Sequence, residues 1–361
     1  MAKFLPPGSP TAWTALLAVL AAALLLIWPG PGQAQKASPP PAEASELAER
    51  SRALERARRA VLGVQATAIE EARSARTLGR ERGGSGVLIS DDGLVLTIGY
   101  LVLEAEDVVL TLDDGRTLPA RVRGYDVATG FGLVQALAPL APFGIEPVRL
   151  GPSEALAEGE PLMVATGGAG GGVGVTRLLV RRPFSGYWEY HLDQALLTAP
   201  PSRNHSGAGL FNGRGELLGI GSLFLADAWA EDRHKPTTPA NLFVPAELLA
   251  PILAELRERG RSAASQRAWL GLNCVESDGQ LRVMRVTDDS PADVAGLEAG
   301  DQIEAIDGQP VATLGALWKA LWAGGPAERE VALAIRRDGA AQTLKVHSVD
   351  RQKTLRRPQG I

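Results

Sequence analysis

The chain has 361 residues, 45% of them hydrophobic and 22% charged, which supplies a packed core and excludes global disorder. A net charge of -4 gives no electrostatic basis for binding nucleic acid. The single cysteine, Cys274, excludes an internal disulfide and a multi-cysteine metal site, and reads as a small buried residue. At the N-terminus Lys3 precedes an uncharged apolar run from Trp13 to Trp28. Pro29-Gly30-Pro31-Gly32 stops any helix, and Gly32-Gln33-Ala34 puts small residues where a signal peptidase reads them. Residues 1–34 are therefore expected to be a secretory signal peptide cut after Ala34. The alternative is an anchor retained at residues 13–28, a run just short of spanning length. In both cases the folded part is expected outside the cytoplasm.

Gln35 to Ala44 is rich in Pro, Ala and Ser and reads as a linker. Glu43 to Arg59 has acids ahead of bases and predicts one exposed helix, its Arg56, Arg58 and Arg59 on a solvated face. From Val61 the pattern turns to short strands: Val61–Ala68, Ser85–Ser90, Leu94–Thr97, Val108–Leu112, Leu118–Arg123 and Phe131–Gln135. Asp91-Asp92-Gly93 and Asp113-Asp114-Gly115 between them are hairpin turns. Pro161–Thr166, Val175–Val180, Gln194–Thr198, Gly209–Phe211 and Leu217–Leu223 continue the series, which predicts a mainly β barrel or sandwich. Gly167 to Gly174 has no phosphate-loop lysine and reads as a mobile or tightly turned loop. Pro245 to Arg259 predicts one helix, with Pro at its start and Gly260 at its end. After a polar linker, Arg261 to Gln266, a second module has strands, a helix near Leu314–Trp322, and a strand pair at Val331–Ile335 and Thr343–Val346. Residues 351–361 form a basic tail, expected to be disordered.

Several motifs carry a resemblance. Gly84-Ser85-Gly86-Val87-Leu88-Ile89, Gly93-Leu94-Val95-Leu96-Thr97 and Leu242-Phe243-Val244-Pro245 resemble segments of the HtrA (DegP-like) family. Its trypsin-like double β-barrel would then span residues 60–260. Ser290-Pro291-Ala292, Ala295-Gly296-Leu297-Glu298-Ala299-Gly300-Asp301 and the stretch Ile303 to Val311 resemble the family's PDZ domain, here residues 266–350. The resemblance implies that Ser206, within Asn204-His205-Ser206-Gly207-Ala208, stands at the nucleophile position. It puts Tyr100 where the family has its base histidine, and Gly130 where it has its aspartate. A phenol with a pKa of about 10 keeps its proton near neutrality and cannot act as that base. The oxyanion hole would use backbone at Asn204 and Ser206. There the family has glycine in place of Asn204, in a special backbone conformation, and asparagine tolerates positive φ better than most residues. Of the four histidines, His191, His205, His234 and His347, the candidate for a repositioned base is His191, in an irregular stretch from Ser185 to Asp193 with Asp193 beside it. Tyr187-Trp188-Glu189-Tyr190 is the densest aromatic cluster and serves either as a binding surface or as packing for its loop. No spacing indicates a metal site, and no cofactor is expected.

In the PDZ-like module, Trp269-Leu270-Gly271-Leu272 resembles a carboxylate-binding loop. Its backbone N–H groups would hold a peptide's C-terminal carboxylate, and the next strand would pair with the peptide. Leu270, Leu272 and Leu317 would line the pocket for the last side chain. The expectation is a periplasmic pseudoprotease of protein quality control. It would bind peptides or protein C-termini as an adaptor, chaperone or scaffold, with an envelope protein as partner and a homo-oligomer left open. Contact with the membrane follows only if the N-terminal segment is retained. The alternatives are a PDZ domain that packs intramolecularly and never meets peptide, an active serine endopeptidase with a repositioned base, and a structural subunit of an envelope complex.

Overall fold

The computed structural model describes residues 41–229 and 237–356. The signal or anchor segment, the far end of the tail and His234 lie outside the described residues. No helix among the described residues is long and apolar enough to cross a membrane.

Twelve strands build two closed antiparallel barrels. The first contains β1 (Val61–Ala68), β2 (Glu81–Leu88), β3 (Leu94–Ile98), β4 (Ala105–Thr111), β5 (Thr117–Tyr125) and β6 (Phe131–Ala136), in the order β1-β2-β3-β6-β5-β4. The second contains β7 (Pro161–Ala165), β8 (Val173–Ser185), β9 (His191–Ala199), β10 (Gly209–Phe211), β11 (Leu217–Trp229) and β12 (Thr238–Pro245), in the order β10-β11-β12-β9-β8-β7. Closure removes the unpaired edges that short strands would otherwise expose. Gly-rich sequence lets the barrels approach. A Cβ at Gly167 would sit 2.1 Å from the Leu62 backbone, and one at Gly63 would sit 2.9 Å from Gly168. Of the Gly167–Gly174 stretch, residues 167–172 thus lie in a tight β7–β8 turn pressed against β1, and Val173 and Gly174 open β8.

Three elements differ from the sequence expectation. The N-terminal helix spans Pro41–Arg59 and is not simply exposed: Leu54 and Ala57 are buried in the barrel core. Arg58 pairs with Glu55 and with Asp113 of the β4–β5 turn. The single helix expected over Pro245–Arg259 is broken into a 3-10 turn at Ala246–Leu249 and a helix at Leu253–Arg259. Pro251 lies at the break and has no N–H to donate, so one hydrogen bond of a continuous helix is missing there, although Ala250 itself keeps helical angles. The basic tail is ordered through Arg356. Asp350 caps a turn at Arg351–Thr354, Gln352 Nε2 donates to the Tyr125 carbonyl at 3.0 Å, and the Arg356 N–H donates to Glu104 Oε1 at 2.8 Å.

The C-terminal module has its own core around Trp318, Leu317, Leu333 and Ile335. Strands β13 (Ala268–Trp269) and β20 (Val349–Asp350) pair at the junction with the linker. The main sheet runs β14 (Leu272–Ser277), β15 (Gln280–Val286), β16 (Gln302–Ile306), β18 (Glu330–Arg337) and β19 (Ala340–His347), with β17 (Gln309–Pro310) beside β16. A helix at Leu314–Ala323 covers it. The linker is fastened to the first barrel by Asp126, which is fully buried and accepts from the hydroxyls of Ser262 and Ser265.

Candidate functional site

Ser206 sits in the turn before β10, where the two barrels meet. Gly207 follows with φ +73°, and a Cβ there would lie 1.8 Å from the Ser85 carbonyl oxygen. Glycine is the residue that fits. The Gly207 N–H donates to the Gly221 carbonyl of β11 at 2.8 Å, and the Ser206 carbonyl accepts from the Ser85 N–H of β2 at 2.9 Å. Ser206 is therefore clamped by one strand from each barrel.

Tyr100 lies in a 3-10 turn, Gly99–Leu101, directly after β3. The buried Arg82 guanidinium fixes this turn by donating to the carbonyls of Tyr100 at 3.1 Å and Leu103 at 2.7 Å. The Tyr100 hydroxyl donates across 2.7 Å to Ser206 Oγ. The Ser222 carbonyl oxygen, 2.8 Å away, is a second acceptor for the same proton. Burial pushes the Tyr100 pKa up to about 12. A phenol so placed holds its own proton and takes none from serine.

Gly130 has φ +82°, and a Cβ there would come 3.1 Å from Tyr190 Oη. The Tyr190 hydroxyl donates to the Thr129 carbonyl at 2.7 Å, and its ring is buried. The space an acidic side chain at residue 130 would enter is thus occupied by a phenol from the β8–β9 connection. The nearby carboxylate of Asp126 is committed to Thr129, Ser262 and Ser265 and does not face Tyr100.

Asn204 is exposed and is not among the non-glycine residues with positive φ, so its backbone does not take up the conformation that asparagine was expected to tolerate. His205 Nδ1 pairs with the Arg203 carbonyl at 3.2 Å, not with its neighbour Ser206. His191 does not lie in an irregular stretch. β8 runs to Ser185 and β9 begins at His191, leaving only residues 186–190 between them. The His191 ring is held by Ser185 Oγ at 2.8 Å and Asp193 Oδ1 at 3.2 Å. It lies against Gly315 of the C-terminal module's helix, and it makes no hydrogen bond to Ser206. His347 ends β19 in the C-terminal module.

The second candidate site is the turn between β13 and β14. Trp269 pairs with Val349, and Gly271 has φ +90° with Ser290 packed where its Cβ would be. The N–H groups of Leu270, Gly271 and Leu272 converge on one point, as a carboxylate-binding loop requires. That point is occupied. Glu189 Oε1 accepts all three, at 3.1, 2.8 and 3.0 Å. Leu270, Leu272, Leu317 and Trp318 are all buried beside it. The sequence alone assigns Glu189 no role of its own. The available signal was an acid embedded in the aromatic run Tyr187-Trp188-Glu189-Tyr190.

Comparison with known proteins agrees with this architecture. The trypsin-like peptidase domain family matches residues 84–220, and the PDZ domain family matches residues 268–347. A probable periplasmic serine endoprotease, DegP-like, of Ectopseudomonas mendocina (strain ymp) is 30% identical over 73% of this chain and 55% of its own length. The periplasmic serine endoprotease DegP of Salmonella typhimurium is 27% identical over 73% of this chain and 56% of its own. The chain thus spans about half the length of the curated relatives it matches. A solved structure described as the HtrA-type protease AlgW with tripeptide superposes with a TM-score of 0.51 at 20% identity, over 86% of this chain and 98% of that one.

Proposed function

Because the chain belongs to the HtrA family, with a trypsin-like peptidase domain followed by a PDZ domain, we propose that it is a proteolytically silent member, exported to the periplasm, that acts by binding protein C-termini. The observation that carries this reading is the Tyr100–Ser206 hydrogen bond. Serine becomes a nucleophile when an adjacent base accepts its proton. At Ser206 the adjacent group is a buried phenol, and the acid's place at Gly130 is filled by Tyr190. The names of the relatives support the compartment and describe proteases. In this chain the peptidase domain is read as a scaffold, and the PDZ domain as the part that meets partners.

The test is activity-based. The full chain, incubated with a fluorophosphonate probe and with casein, is expected to show no labelling of Ser206 and no hydrolysis. Casein turnover that disappears in Ser206→Ala would overturn the proposal.

A further inference from the structure

A PDZ groove accepts a peptide as an extra strand whose terminal carboxylate enters the N–H loop. In this molecule the segment Gly186–Glu189 already makes those contacts. It runs antiparallel to β14, with Trp188 bridged to Asn273. The Tyr187 carbonyl accepts from the Cys274 N–H at 2.6 Å. The Gly186 carbonyl accepts from Trp318 Nε1 at 3.0 Å, on the helix that forms the groove's other wall. The segment points toward the loop, and there the Glu189 side chain supplies the carboxylate that a peptide's last residue would supply. Glu189 is only 4% exposed, so solvent does not compete for the loop. The contact is framed by Lys319 Nζ at 2.6 Å from Asp193 Oδ1, and by the helix packed on Ser185 and His191 at Gly315.

We propose that Gly186–Glu189 is an internal ligand of the PDZ groove, and that a protein C-terminus binds only by displacing it. The displacement half rests on the proposed peptide-binding function; the internal-ligand half does not. An internal ligand acts at an effective concentration set by its tether, in the millimolar range for a short flexible one. It therefore suppresses weak C-termini and leaves strong ones able to compete. The segment also adjoins the space beside Gly130. Tyr190 follows Glu189 directly, stacks on Trp188 with centroids 5.8 Å apart, and is the group that fills the space beside Gly130.

Two measurements on the full chain separate the halves. Hydrogen exchange at the amides of Leu270, Gly271, Leu272 and Cys274 should be protected in the wild type and at least tenfold faster in Glu189→Ala and in Glu189→Asp, whose carboxylate stops a methylene short of the loop. Equal exchange in the wild type and Glu189→Ala would overturn the internal ligand. A random heptapeptide library with free C-termini, and the same library amidated, then tests displacement. Free C-termini should be retained about tenfold better by Glu189→Ala than by the wild type, and amidated ones by neither. Equal retention of free C-termini by both proteins would overturn displacement. Protected wild-type amides with no retention by either protein would leave the internal ligand standing, and would overturn both displacement and the peptide-binding function. Near-ultraviolet circular dichroism guards against misfolding, and Glu189→Asp keeps the test open if the alanine variant unfolds.

Discussion

A trypsin-type serine depends on a base whose pKa lies near ambient pH and on an acid that orients that base. Position 100 holds a phenol raised to about 12, and position 130 holds no side chain. Restoring one group does not restore the pair. Tyr100→His would place an imidazole near Ser206 with nothing to fix its tautomer. Its casein turnover should stay roughly 10⁴-fold below that of a complete triad. Restoring the acid meets a steric obstacle. Gly130→Asp puts a Cβ at φ +82° and 3.1 Å from Tyr190 Oη. Urea unfolding should show a loss of about 1–3 kcal/mol. The loss should shrink in a Tyr190→Phe background, and a double-mutant cycle would report that coupling.

At the scale of elements, the legible features were the local ones. Asp91-Asp92-Gly93 and Asp113-Asp114-Gly115 mark hairpins by turn chemistry alone, and the strands on either side follow from that. Tyr100 and Ser206 were named from motif register, and their side chains meet. Contacts between distant segments were not legible. Glu189 and the Leu270–Leu272 loop are about eighty residues apart in sequence, with no shared periodicity to connect them. Tyr190 filling the space beside Gly130 is the same kind of pairing, 61 residues from its Thr129 acceptor. The docking of the N-terminal helix is illegible for the same reason. Its polar sequence hides a docking stripe, because Leu54 and Ala57 carry the contact while charges fill the rest. Leu54 is fully buried, so Leu54→Ala should cost about 2–5 kcal/mol in urea unfolding. Glu49→Ala, on the exposed face of the same helix, should cost no more than about 0.5 kcal/mol.

At the scale of the whole molecule, the PDZ domain is tied to the barrels by the Asp126 linker contacts, by the tail at Glu104, and by Glu189 in the loop. Of these three, Glu189 is the tie that responds to pH near neutrality. Burial pushes its pKa up to about 7, against the opposing pull of the three N–H groups and Arg351. The buried thiol of Cys274 and the buried phenol of Tyr190, both raised by burial, lie nearby, and His191, lowered by burial, sits at the same contact with Asp193 and Lys319. Once undocked, Glu189 returns to an ordinary carboxylate pKa, about 4.3. Between these two values the docked state holds a proton that the undocked state has released. Docking is therefore favoured as pH falls through 7, and it weakens as pH rises toward 7. The full change is about 4 kcal/mol at most, for a difference of about 2.7 units at about 1.4 kcal/mol per unit. Amide exchange at Leu270–Leu272, corrected for the intrinsic pH dependence of exchange, should accelerate from pH 5 to pH 7.5 and then level off. Glu189→Gln has no proton to lose and should give a flat profile. A wild-type profile as flat as the glutamine variant's would remove Glu189 as the pH-sensitive tie, and an acceleration toward acid would reverse the linkage argued here.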